Sequence, residues 1–80
     1  LVQENTIFNM SENGIILFDS SYTTITDNNI TECVINGIIF EGKGSGTDNT
    51  VIGGNITECF YGIYLTKALK NKFDSQNIIL

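Results

Sequence analysis

The pentapeptide Asn29-Ile30-Thr31-Glu32-Cys33 recurs unchanged as Asn55-Ile56-Thr57-Glu58-Cys59, and Asn77-Ile78 forms a third, shortened copy. Successive copies lie 26 and 22 residues apart. Between them falls a second element, Gly-Ile and two apolar residues: Gly14-Ile15-Ile16-Leu17, Gly37-Ile38-Ile39-Phe40 and Gly62-Ile63-Tyr64-Leu65, at spacings of 23 and 25. A third element, Ile25, Val51 and Phe73, precedes each Asn by four positions. Carried back to the start, the register aligns Val2, Ile7 and Met10 with Ile25, Ile30 and Cys33. It puts Thr6 where the other copies have Asn. A fixed period of this size marks a chain built from stacked units.

The residues choose among repeat architectures. Each copy is rich in Ile, Val, Thr, Phe and Tyr, which favour a pleated strand. Asn and Gly interrupt every four to eight residues, too often for useful helices. A leucine-rich repeat needs several Leu at fixed offsets, and this chain has Leu at 1, 17, 65, 69 and 80 only. Three short strands per repeat, separated by Asn/Gly corners, fit one coil of a solenoid.

The pattern Asn-x-Val-x-x-x-Asn-Ile, at Asn49 to Ile56, followed by Gly-Ile-x-Leu, resembles the right-handed parallel β-helix repeat of pectate lyases, polygalacturonases, phage tailspikes and many cell-surface proteins. The resemblance implies an all-β chain of about three coils of 22–26 residues, with boundaries near 1–21, 22–48, 49–70 and a partial 71–80. It is specific for fold and silent on activity.

Equivalent residues of successive coils stack about 4.8 Å apart. The expected inward columns are Val2/Ile25/Val51/Phe73, Ile7/Ile30/Ile56/Ile78, Ile15/Ile38/Ile63 and Leu17/Phe40/Leu65. Asn29, Asn55 and Asn77 are expected to form an inward structural ladder at a tight corner, because Asn tolerates left-handed backbone and stacked amides hydrogen-bond along a column. Cys33 and Cys59 share a column with Met10 and read as reduced core residues, with an inter-coil disulfide as the alternative. Asn-x-Ser/Thr occurs at Asn9, Asn29 and Asn55. With Asn29 and Asn55 facing inward, Asn9 alone is expected to be open to a glycan. Glu41-Gly42-Lys43-Gly44-Ser45-Gly46-Thr47-Asp48 reads as a surface loop, since it lacks the spacing and following helix of a phosphate-binding loop.

Composition excludes more chemistry than it offers. Eighty residues make one small domain. At 41% hydrophobic residues the chain is too apolar for disorder. No apolar run nears the roughly 20 residues of a membrane span, and no secretory signal is visible. The chain opens Leu1-Val2-Gln3 without Met and reads as a processed or excised piece. Net charge is −5, with four Lys and no Arg, which excludes a nucleic-acid partner and disfavours anionic membranes. There is no His, so the commonest general base and metal ligand are both missing. No metal and no cofactor are implied.

The resemblance directs the search for catalysis to the outer face of the strand after each Gly, where family enzymes carry carboxylates. Alternation puts Ile16, Ile39 and Tyr64 outward there, an apolar stripe. Glu32 and Glu58 share a column and form a weak candidate carboxylate pair for calcium, against the plainer reading of a solvated surface pair. No catalytic residue is assigned. The stripe marks an interface, with Tyr64 placed to stack on a sugar ring. The expected function is a non-catalytic structural or carbohydrate-binding module of a secreted, cell-surface or virion-surface protein, facing polysaccharide or neighbouring β-helix subunits. The alternatives are a fragment of a polysaccharide lyase or glycoside hydrolase, and a self-assembling filament subunit whose open coil edges stack end to end.

Overall fold

The computed structural model describes residues 1–42, 47–66, 68, 70–74 and 77–79. Among them the chain is all strand and turn, with no helix and hence none long and apolar enough to cross a membrane. The strands run β1 (Val2–Gln3), β2 (Thr6–Met10), β3 (Asn13–Phe18), β4 (Thr24–Thr26), β5 (Asn29–Cys33) and β6 (Asn36–Glu41). They continue as β7 (Thr50–Ile52), β8 (Asn55–Thr57), β9 (Tyr61–Leu65), β10 (Lys72–Asp74) and β11 (Asn77–Ile79). Each strand pairs in parallel with the strand three places on, giving sheets β1-β4-β7-β10, β2-β5-β8-β11 and β3-β6-β9. This is a parallel β-solenoid of about three turns, as the repeat requires.

Register follows the sequence columns. Val2 pairs with Ile25, Ile25 with Val51, and Val51 with Phe73. Ile7, Ile30, Ile56 and Ile78 pair in succession. Ile15, Ile38 and Ile63 stack on the third sheet beside Leu17, Phe40 and Leu65. The core is these columns: Ile25, Ile30, Ile38, Phe40 and Val51 are fully buried, and Ile15, Leu17, Ile56, Cys33 and Cys59 nearly so. Burying each large aliphatic side chain stabilises by roughly 1.5–3 kcal/mol before entropy is subtracted. Leu65, Phe73 and Ile78 keep the register on the upper turn but stay open to solvent. Phe73 still meets the Phe40 ring edge-on at 5.8 Å.

The repeated Gly before each Ile has a steric cause. A Cβ on Gly14 would lie 2.7 Å from the Gly37 carbonyl oxygen and 2.7 Å from Ile30, and one on Gly37 would lie 2.7 Å from the Gly62 oxygen. The wall where the third sheet begins passes too close to the Ile30/Ile56 column for any side chain.

Corners are made by left-handed residues stacked in columns: Glu4, Asp27 and Gly53; Asn9, Glu32 and Glu58; Tyr22, Asp48 and Lys70, with φ between 53° and 64°. Such φ values are uncommon outside Gly and are enriched in Asn and Asp.

The expected inward ladder is corrected. Asn29, Asn55 and Asn77 do stand in register, and Asn77 Nδ2 donates to Asn55 Oδ1 at 3.1 Å, but all three are exposed. Neighbouring strand residues face opposite sides, so an inward Ile30 or Ile56 forces the preceding Asn outward. The inward amides come one residue earlier and at two other corners: Asn28, Asn36 and Asn49 are each buried. With Asn29 and Asn55 at the surface, the argument that singled out Asn9 for a glycan no longer holds. The predicted loop falls largely on residues 43–46, outside the described residues.

Candidate functional site

The third sheet carries the exposed apolar stripe. Within each strand, inward Ile and Leu or Phe alternate with one outward residue, and the register aligns Ile16, Ile39 and Tyr64 on consecutive turns. Ile16 and Tyr64 are exposed by 54% and 42%, and Ile39 between them is half-buried.

Sequence reasoning stopped at Tyr64 and missed the two aromatic residues beside it. In the second turn, Val34 and Ile35 bridge Cys33 to Asn36. In the third, Phe60 alone bridges Cys59 to Tyr61, so the corner is one residue shorter. That shift brings Tyr61 into the Asn36 column, where its backbone N–H donates to the Ile35 carbonyl at 2.8 Å. Phe60 and Tyr61 meet edge-to-face at 4.8 Å, and Tyr61 and Tyr64 tilt together at 5.1 Å. All three rings remain solvent-exposed. The signal was present: Phe60-Tyr61-Gly62-Ile63-Tyr64 holds all three aromatics in five residues.

Tyr61 and Tyr64, with Ile35, Asn36 and Ile39, line a shallow groove of about 180 Å³. Among the described residues, no carboxylate or amine lines it. Such a groove supplies flat apolar rings with one buried amide at its base, a surface for stacking and not for proton transfer. A second, polar concavity of about 110 Å³ lies at the β7–β10 edge among Asp48, Asn49, Thr50, Lys70 and Lys72.

Glu32 and Glu58 stand exposed in one column, at φ 57° and 55°. The column they share with Asn9 forms the bend at the end of the second sheet, which gives it a backbone role. No group of three His, Cys, Asp or Glu converges among the described residues.

Cys33 and Cys59 are free, buried and stacked on adjacent turns. Met10, paired with Cys33, is partly exposed. Burial, and the neighbouring Cys59 thiol, push Cys33 up to about 11. A buried thiol so disposed is protonated and inert at neutral pH.

Parallel three-sheet stacking, columns of like residues and an aromatic outer groove define the molecule as a β-helix module. The family model "NosD: Periplasmic copper-binding protein (NosD)" matches residues 1–79, and the chain belongs to the NosD family, one of periplasmic proteins. No curated protein and no solved structure matches it.

Proposed function

We propose that this chain is a non-catalytic module of an extracytoplasmic β-helix protein, and that its third sheet docks carbohydrate. The carrying observation is the contiguous Ile16/Ile39/Tyr64 column, widened by Phe60 and Tyr61 into an exposed aromatic face whose groove, among the described residues, is lined by no carboxylate and no amine. Exposed apolar surface of this kind is a binding surface by default, and aromatic rings with a polar tip are favoured where one side must stay wet. Hydrolysis or elimination would need a positioned acid and base. The candidate pair Glu32 and Glu58 belongs to a different sheet edge from this groove.

The family description names copper. The donors of this chain do not fit a copper centre. His is absent from the sequence. The stacked thiols are buried among apolar residues, and no third His, Cys, Asp or Glu converges on them among the described residues.

The test is an oligosaccharide array read with the intact chain and with Tyr64→Ala. Binding that weakens in the variant supports the proposal. An array silent for the intact chain removes it, and leaves the neighbouring-subunit role for the same face.

A further inference from the structure

Asn13 and Asn36 stack on successive turns, with Asn36 Nδ2 donating to Asn13 Oδ1 at 2.8 Å. The next residue in that column is Tyr61. Asn36 is 4% exposed, and its Oδ1 has no hydrogen-bond partner among the described residues. An Asn at position 61 would offer that oxygen an amide donor, as Asn36 offers one to Asn13. The third turn therefore breaks its own ladder and leaves a buried acceptor unmet, a destabilising arrangement. Breaks of a local rule without a structural return concentrate at functional sites. Here the return is a ring, 44% exposed, set 5.1 Å from Tyr64 at the lip of the groove.

We propose that Tyr61 replaces a ladder amide in order to complete, with Tyr64 and Ile39, a subsite for one neutral pyranose ring. This deepens the carbohydrate-docking reading and rests on it. The rings supply the apolar platform against which the C–H face of a sugar packs. Neutrality follows from charge. The lining residues are uncharged, Glu41 ends the strand that holds Ile39, and Glu58 lies three residues before Tyr61. The described lysines, Lys70 and Lys72, sit at the β7–β10 edge beside Asp48. A uronate would enter a field of its own sign, in a chain of net charge −5.

The experiment compares the intact chain with Tyr61→Phe, Tyr61→Ala and Tyr61→Asn. Binding is measured to immobilised neutral hexose and N-acetylhexosamine oligomers, and to galacturonate and glucuronate oligomers of equal length. Thermal midpoints are taken on the same samples. The chain is expected to bind neutral oligomers, Tyr61→Phe to retain that binding, and Tyr61→Ala and Tyr61→Asn to lose about tenfold. Tyr61→Asn, with its ladder bond restored, should melt above Tyr61→Ala by about 4–8 °C. Undiminished binding by Tyr61→Asn, or a midpoint no higher than that of Tyr61→Ala, overturns the subsite. Binding confined to uronates overturns it while leaving carbohydrate docking in place, and binding to neither class removes both.

Discussion

Asn28 and Asn5, on successive turns, are joined twice through a single oxygen: Asn28 Oδ1 accepts from both the backbone N–H and the side-chain Nδ2 of Asn5, each at 3.0 Å. Asn28 Nδ2 donates in turn to the Val2 carbonyl at 3.0 Å. Asn49 repeats the device at another corner, accepting from the Thr23 N–H at 2.9 Å and donating to the Ser20 carbonyl at 2.8 Å. These buried amides replace the backbone partners that corners lack.

Removing the Asn28 amide leaves three part-buried partners unmet: the Asn5 N–H, the Asn5 Nδ2 and the Val2 carbonyl. Asn28→Ala is expected to destabilise by about 2–3 kcal/mol, since each unsatisfied buried group costs about 1–3 kcal/mol and relaxation recovers part. Urea unfolding followed by far-ultraviolet circular dichroism measures the loss. A change below about 0.5 kcal/mol would contradict the ladder.

Asn55→Ala is the matching control. Its side chain is exposed and shares one solvent-accessible bond with Asn77. The same urea titration should move by no more than about 0.5 kcal/mol. A loss as large as that of Asn28→Ala would restore the inward ladder expected from the sequence.

Gly37→Ala tests the close approach at the start of the third sheet. Its Cβ would meet a backbone oxygen, that of Gly62, at 2.7 Å, and the Ile56 side chain on the other side. Backbone cannot swing away as a flexible side chain can. The expected loss is about 2–3 kcal/mol, toward the upper part of the usual overpacking range. An unchanged urea midpoint would show that the wall yields.

Cys33 sets a pH dependence. Its charged form is the thiolate, and the fold raises it from an ordinary 9.0 to about 11. A group raised on folding contributes stability that is complete below the unfolded value and lost as pH climbs through the folded one. Stability should therefore fall between about pH 9 and pH 11. Cys33→Ala should flatten that part of the profile. An identical decline in the variant would remove the assignment.

The architecture was legible because the solenoid writes itself into the sequence as a period. Two identical pentapeptides and three Gly-Ile copies place Ile30 over Ile56 and Ile38 over Ile63 without any side-chain geometry. The facing of Asn29 was misread because corner chemistry was allowed to override strand alternation, although Asn29 is the first residue of a strand and not the corner itself. The real corner amide, Asn28, was hidden because its column repeats the amide once, at Asn5, and breaks at Gly54. Ile16, Ile39 and Tyr64 followed from period-two alternation alone. Tyr61 lies outside that alternation: it enters the groove through a corner one residue shorter than its predecessor, a difference carried by the 26-residue Cys33–Cys59 and 25-residue Gly37–Gly62 spacings.

Carbohydrate docking on the third sheet is tested most directly by titrating the isotopically labelled chain with a neutral oligosaccharide chosen from the array and following backbone amides by NMR. Shifts should concentrate on Ile39, Tyr61 and Tyr64 and fade toward the other two sheets. Shifts confined to the Asp48/Lys72 concavity, or no shifts at saturating sugar, would contradict the account.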